Sequence, residues 1–341
     1  MFSKKITGNI LGIDIGTEKI SFALVKQGGK EEVLMLDSID VPKSLVVNGE
    51  INDALAIGAE IKKYISIKNL KPKAVALSIG SPQVIIRDFK IPQVKKKEIE
   101  NSIIEEISKT YRGVSESHNI SYKITNESKS ELKGIVALCP KNIVEDYIKV
   151  GYEVGEDLKY IDVNSNTTAK ALKCFTNYGK NSGNIVMVDI GLQKSTVNII
   201  SNGNLVISRQ VPNGGLDLDK LISKEFNISL EDAKKSKEQG YNGMVNKESM
   251  ETYLRSAYNG IEQEIGNTLN FFIQNISKQG INSIVLIGGG SKVSGIDNYF
   301  QEIFKIPTVI LGESDLNNKK VKNSDMLSMF MPAIGAAIRE D

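Results

Sequence analysis

Two aspartates stand in the same local setting in the two halves of the chain, as Asp14-Ile15-Gly16 and Asp189-Ile190-Gly191. Each triplet follows an apolar run, Ile10-Leu11-Gly12-Ile13 in one half and Ile185-Val186-Met187-Val188 in the other. Each is followed by an alternating apolar stretch that closes on a glycine, Gly28 or Gly203, fourteen residues beyond its aspartate. The pattern predicts two strand–turn–strand hairpins in register. A tight turn between strands points successive backbone N–H groups into one concavity, and such a nest attracts phosphate. Gly16 and Gly191 supply backbone freedom there and leave out a side chain that would block the ligand. Thr17, Lys19 and Ser195 can add hydroxyl or ammonium donors. Carboxylates at the strand ends would not touch phosphate directly, so Asp14 and Asp189 are suited to hold Mg²⁺ through its retained waters. Two equivalent turns imply two jaws closing on one ligand.

A third element is the run Gly288-Gly289-Gly290 after the apolar segment Ile284–Ile287. Backbone without side chains lets a flat base lie against it. The chain has no GxxxxGK[ST] and no GxGxxG, which excludes a P-loop and argues against a dinucleotide site of the Rossmann kind.

The rest of the chain bounds what can position these turns. Its 341 residues suffice for two domains with substantial cores. It is 40% hydrophobic and 25% charged, the balance of a soluble globular protein. No apolar run approaches the roughly 18–20 residues needed to span a bilayer. A net charge of +2, with short lysine runs such as Lys95-Lys96-Lys97, gives no footprint for nucleic acid. Cys139 and Cys174 lack CxxC spacing, against a disulfide framework or zinc site, and with no apparent secretory signal a reducing cytoplasm is expected. The single histidine, His118, lies in the polar stretch 115–119 and reads as an exposed loop residue.

Periodicity then lays out an α/β chain. Residues 10–41 supply strands, and Asn52 or Asp53 caps a helix marked by Ile57, Ile61 and Ile65. Ala74–Ile79 reads as a buried strand, followed by another near 84–89. A small α/β insert over 92–160 holds an Ile99/Ile103/Ile107 helix, strands near 120–124 and 134–138, and a short helix near 142–150. The main fold resumes at Ile161-Asp162-Val163, and the polar loop 177–183 marks a boundary. Ser229 with Asp232 opens a helix. A long helix over about 247–278 carries the stripe Met250, Leu254, Ala257, Ile261, Ile265, Phe272 and Ile276. The last helix carries Ala333, Gly335, Ala336 and Ala337, small enough for close backbone packing.

These motifs together resemble the actin-like ATPase superfamily. Leu11–Thr17 resembles its first phosphate loop, Val188–Ser195 the second, Ile287–Ser291 the adenosine motif, and Ile161–Val163 and Ala333–Ala337 the two connecting motifs. Within it the chain is most similar to the PilM family of type IV pilus machines. The lysine-containing leader before Ile10, the insert after Ile91-Pro92, and the run Ser208–Gly215 with Glu231-Asp232-Ala233 and Lys237 carry that likeness. So does the stop at Arg339-Glu340-Asp341, where the related FtsA proteins continue into a membrane-binding helix.

The resemblance implies a two-lobed fold with a relocated small subdomain. Residues 1–91 and 161–178 would form the first lobe, 92–160 the insert and 179–341 the second lobe. It implies ATP and Mg²⁺ as cofactors. Asp14 and Asp189 would serve the metal. Gly16, Thr17, Lys19, Gly191 and Ser195 would line the phosphates, and Gly214, Gly215, Lys237, Gly288, Gly289 and Gly290 would lie near ribose and base. Two departures bear on this. Asn164 stands where relatives often carry an acid; an amide can orient water but cannot act as a general base. ATP binding with weak or no hydrolysis is therefore expected. Lys234 stands where many relatives place the glutamate that meets the ribose. The implied partners are the cytoplasmic N-terminal peptide of PilN, the pilus assembly ATPase, and further copies of the chain. Nucleic acid is not among them, and the inner face of the membrane is reached only through PilN. An FtsA-like cell-division adaptor is the alternative, and a small-molecule kinase using Asp162 a more distant one.

Overall fold

The computed structural model describes residues 7–47, 49–179, 183–238, 247–317 and 319–339. The first six residues of the expected leader, the middle of the 177–183 boundary loop, and Glu340-Asp341 lie outside them.

The chain opens with an antiparallel meander of β1 (Gly8–Ile15), β2 (Lys19–Gln27) and β3 (Glu32–Asp40). The short pair β4 (Val46–Val47) and β5 (Glu50–Ile51), helix α1 (Ala54–Ile67) and strand β6 (Ala74–Ile79) follow. Asp53 is the residue that caps α1, accepting from the Ala56 N–H at 2.9 Å. Then come β7 (Ile85–Pro92), α2 (Ile99–Ser108), the one-turn α3 (Val114–Ser117), β8 (His118–Glu127) and β9 (Glu131–Pro140). Helix α4 (Lys141–Val154), β10 (Leu158–Val163) and α5 (Asn164–Phe175) lead to the second half. That half holds β11 (Asn184–Ile190), β12 (Ser195–Ser201), β13 (Asn204–Val211), α6 (Gly215–Phe226), α7 (Leu230–Glu238) and α8 (Lys247–Asn275). It closes with β14 (Ser283–Ile287), α9 (Ile296–Phe304), β15 (Thr308–Ile310) and α10 (Leu327–Ala336).

The halves repeat one topology. The first sheet runs β3-β2-β1-β6-β10 and the second β13-β12-β11-β14-β15. In each, a three-strand antiparallel meander is extended by two parallel strands. Every residue of β6 is buried, as a parallel strand covered on both faces requires. The second sheet packs one face against α6, α8 and α9. Its other face joins the first sheet's core through Ile185, Met187, Val285 and Ile287. On α8 the stripe is buried from Met250 to Phe272, and truncating the fully buried Phe272 would cost about 3–5 kcal/mol. Ile276 departs from the expected stripe: it lies beyond the helix end and is exposed.

Helix α10 touches its neighbours backbone to backbone. A Cβ on Gly12 of β1 would overlap the Ala333 carbonyl, and one on Gly335 would overlap the Thr167 carbonyl of α5. The small residues of the last helix are there for this contact.

The small subdomain differs from the expected 92–160 segment at both ends. Its sheet, β7-β9-β8, already starts at Ile85, and its separate core holds Phe89, Ile91, Ile103 and Val136. At the other end, α4 buries Ile143, Tyr147, Val150 and Val154 in the first lobe's core, beside α1. His118 also differs from expectation: it opens β8, opposite Pro140, with its ring Nδ1 2.8 Å from the Ser117 hydroxyl.

Candidate functional site

The two predicted hairpins close in identical turns. Ile15 pairs with Ile20 across residues 16–19, and Ile190 pairs with Ser195 across residues 191–194. The Gly16 N–H donates to the Lys19 carbonyl (2.9 Å), and the Gly191 N–H to the Lys194 carbonyl (3.0 Å). This corrects the reason for both glycines. Neither has a positive φ; a Cβ would instead press on the carbonyls of Lys19 (3.0 Å) and Lys194 (2.7 Å). The donors left over are the next ones along. The N–H groups of Thr17, Glu18, Leu192 and Gln193 donate to no backbone carbonyl.

Both turns face one cleft of about 710 Å³, within the usual range for a small-molecule site. Asp14, Gly16, Thr17, Lys19, Asp189, Gly191, Gly215, Lys237, Gly288, Gly289 and Gly290 all line it. Ser195 and Gly214 do not. Strand alternation turns Ser195 into the lobe, where its hydroxyl donates to the Asn213 carbonyl at 2.7 Å; Thr196 takes the cleft-facing position. Gly214 lies behind the second turn, where a Cβ would come within 2.6 Å of the Gly191 and Leu192 carbonyls. That close approach lets the first N–H groups of α6, from Gly215 and Leu216, bond the same two carbonyls (2.9 and 2.8 Å).

The glycine run divides its labour. Gly288, at φ +82°, occupies space beside the Asp189 carboxylate that a Cβ would invade. Gly290 packs on Ile190. A Cβ on Gly289 would meet nothing within 4 Å, so this glycine alone leaves open room in the cleft. Val293, Met326 and Met329 supply an apolar wall nearby, which periodicity did not single out.

At the floor, burial and then the charge of Asp189 push the Asp14 carboxyl up to about 7, while the Asn164 amide, 3.4 Å away, pulls it down. Burial pushes Asp189 up to about 6 against the pull of Lys194. Lys194 also lines the cleft, a position the motif reading did not assign. It stands at the offset from Asp189 that Lys19 has from Asp14, so the repeat itself was the available signal. Its ammonium donates to the Gly80 carbonyl of the opposite lobe, and burial lowers it to about 8. At the mouth, Lys234 pairs with Glu18 of the opposite lobe at 2.6 Å. Lys237 is held by Asp219 at 2.7 Å. The side-chain oxygens of Gln193 and Gln210, both on the cleft wall, are buried without a donor.

Asp162 is committed elsewhere. It accepts from Lys170 (2.8 Å), Asn166 (2.7 Å) and the Val163 N–H (2.8 Å), which leaves it no role as a free base. Among the described residues, no cluster of three or more histidine, cysteine or acidic side chains could enclose a metal. No described helix is long and apolar enough to cross a membrane.

Two sheets of one topology, each delivering an Asp-Ile-Gly turn to a shared cleft, make this a two-lobed actin-like ATPase fold. Solved structures agree. A PilM–PilN type IV pilus biogenesis complex matches with a TM-score of 0.81 at 19% identity, over 96% of this chain and 97% of that one. MreB5 of Spiroplasma citri bound to ADP matches with a TM-score of 0.53 at 18% identity, over 96% and 95%. The family model of type IV pilus assembly protein PilM matches residues 12–341, and the chain belongs to that family. It is also similar to the cell division protein FtsA of Buchnera aphidicola subsp. Baizongia pistaciae, 25% identical over 96% of this chain and 89% of that protein.

Proposed function

We propose that this protein is a nucleotide-binding scaffold of type IV pilus assembly, taking Mg²⁺–ATP between its lobes and the cytoplasmic N-terminal peptide of a PilN-like protein on its surface. One observation carries the nucleotide half: two like-charged carboxylates are held together at the floor of a cleft lined by Lys19, Lys194, Lys234, Lys237 and Lys292. Mutual repulsion and desolvation make the paired carboxylates costly when the site is empty. A hydrated divalent cation between them relieves that cost. The lysines suit a polyanion.

Asp14 and Asp189 would hold the metal through its waters, with Asn164 orienting Asp14. The N–H groups of residues 17–18 and 192–193, with Thr17 and Lys194, would hold phosphate, and Lys19, exposed beside Asp40, would add only screened positive charge at the cleft. Gly215, Lys237, Gly289 and the apolar wall would flank ribose and base. Bound Mg²⁺–ATP would supply one multivalent charge that both lobes can grip, and closure around a ligand is a common switching geometry. No side chain among these is placed as a free general base, in keeping with binding and weak or no turnover.

The partner half rests on family membership and on the likeness in fold to a PilM bound to PilN. In this reading PilN ties the scaffold to the inner face of the membrane and to the assembly ATPase. The match to FtsA supports a second reading, a cell-division adaptor.

Calorimetric titration with the N-terminal peptide of the PilN-like protein from the same organism, with and without Mg²⁺–ATP, tests the proposal. Binding is expected in at least one state, with an affinity that responds to nucleotide. No binding in either state would sink the pilus reading in favour of the adaptor.

A further inference from the structure

Three side chains of the second lobe reach across to one short backbone segment of the first. Residues 80–86 run from the end of β6, at the cleft, to the start of β7 in the small sheet. Lys194 Nζ donates to the Gly80 carbonyl, Gln210 Nε2 to the Ser81 carbonyl (3.3 Å) and Arg209 Nη1 to the Ile86 carbonyl (3.5 Å). From within the small sheet, Arg87 Nη1 donates to the same Ile86 oxygen at 2.9 Å. Gly80, Val84 and Ile86 also line the cleft. The segment is thus a wall of the cleft and the tether of the small sheet at once.

The three donors are not equivalent toward a ligand. Arg209 is not on the cleft wall; it lies over the Phe271 ring, 5.7 Å from its centroid, and also donates to the Ser208 carbonyl at 3.2 Å. Lys194 ends the second phosphate-type turn. A phosphate seated on that turn is an anionic acceptor competing with a neutral carbonyl, and charge-assisted hydrogen bonds are about twice as strong as neutral ones. An ammonium has three donors and could bridge both acceptors, so an exchange requires that the stronger pull of the phosphate draw Nζ away from Gly80.

We propose that Lys194 is a phosphate-sensing residue: it exchanges Gly80 for the ligand, and segment 80–86 passes that exchange to the small sheet β7-β9-β8. The proposal rests on the nucleotide reading of the cleft and names the route by which occupancy is felt outside it. With the cleft empty, Lys194 pins the segment at its cleft end. With the ligand bound, that pin loosens while Gln210 and Arg209 keep their hold, so the setting of β7 follows the state of the cleft.

Hydrogen exchange on the full chain tests this, with Mg²⁺–ATP affinity measured separately by calorimetry. In ligand-free protein, Lys194→Met is expected to raise amide exchange in β7 about 2- to 10-fold over wild type, the range one hydrogen bond carries. Mg²⁺–ATP added to wild type is expected to change the same amides in the same direction, and to add little in the variant. Arg209→Met, outside the cleft, is expected to keep Mg²⁺–ATP affinity within about 2-fold while altering the β7 response. Unchanged β7 exchange in ligand-free Lys194→Met overturns the relay, whatever the cleft binds. If Lys194→Met fails to fold, a β7 response in Arg209→Met identical to wild type overturns it instead. Failure of wild type to bind Mg²⁺–ATP removes the nucleotide reading and the sensing role with it.

Discussion

The two Asp-Ile-Gly turns share a backbone but not an environment. Both end in lysine, and both send one side chain across the cleft. The first sends Glu18 to Lys234 at the mouth, where both partners are more than one-third exposed, and leaves Lys19 in solvent beside Asp40. The second turns its lysine inward, partly buried, to the Gly80 carbonyl and within the electrostatic reach of both aspartates. The same duplicated motif has thus been split into a weak, water-screened contact and a desolvated one. Exposed ion pairs contribute about 0–1 kcal/mol, whereas a buried ammonium that loses its partner costs several times more. The lesson is that matching sequence repeats do not imply matching energetic weight.

The comparison can be broken at its strongest point first. Asp14→Ala and Asp189→Ala are each expected to weaken Mg²⁺-dependent nucleotide binding by up to about 100-fold in calorimetry; loss at only one aspartate would end the picture of equivalent jaws. The parallel strands offer a second contrast, since Gly80 follows β6 as Gly288 follows β14. Gly288→Ala must adopt φ +82° against the Asp189 carboxylate and is expected to cost about 2–3 kcal/mol in thermal unfolding. Gly80→Ala has its nearest neighbour, the Asn164 amide, at 3.9 Å and no positive φ, so a cost within about 1 kcal/mol is expected. Of the turn lysines, Lys194→Met is expected to lower nucleotide affinity about 10-fold and Lys19→Met less than about 2-fold; equal losses would erase the distinction drawn above.

The aspartates also set a pH dependence. Asp14 and Asp189 titrate near 7 and 6 when folded, against an ordinary value of 3.8, so the folded chain holds extra protons across that window. Ligand-free stability should therefore fall as pH rises from about 4 to 7, by about 1–2 kcal/mol after allowing for the water that reaches an open cleft. Asp14→Asn should flatten the slope, and Mg²⁺ should reverse part of it because the cation favours the ionised carboxylates. A melting profile unchanged by Asp14→Asn would refute the assignment. The smallest effect is expected from Lys234→Ala, less than about 1 kcal/mol in stability and sensitive to salt.

Much of this architecture was legible because it is carried by period and repetition. The duplicated hairpins, a cap at Asn52 or Asp53, the Ser229 cap, and the α8 stripe as far as Phe272 follow from local pattern. The misplacements share one cause: pattern does not reveal which neighbour a residue meets. Ser195 follows the turn as a phosphate donor would, but alternation points it to Asn213. Gly16 and Gly191 have the spacing of conformational necessities, whereas the nearby carbonyls of their own turns exclude a side chain. Strand β7 and helix α4 have ordinary patterns in either setting; only tertiary pairing sends the first to the small sheet and the second to the large core. Lys194 was hidden differently, since its importance comes from an acceptor 114 residues away.

The bare backbone contacts of α10 limit how such a molecule can breathe. With no side chain between Gly12 and Ala333, or between Gly335 and Thr167, there is no compressible layer to shear, so α10 should travel with the first lobe as one casting. Toward the second lobe it offers a narrower junction, which includes the Gly288 N–H bonded to the Ser328 carbonyl at 2.9 Å. A clamshell motion would then pivot near the start of α10, where that bond joins it to the glycine run.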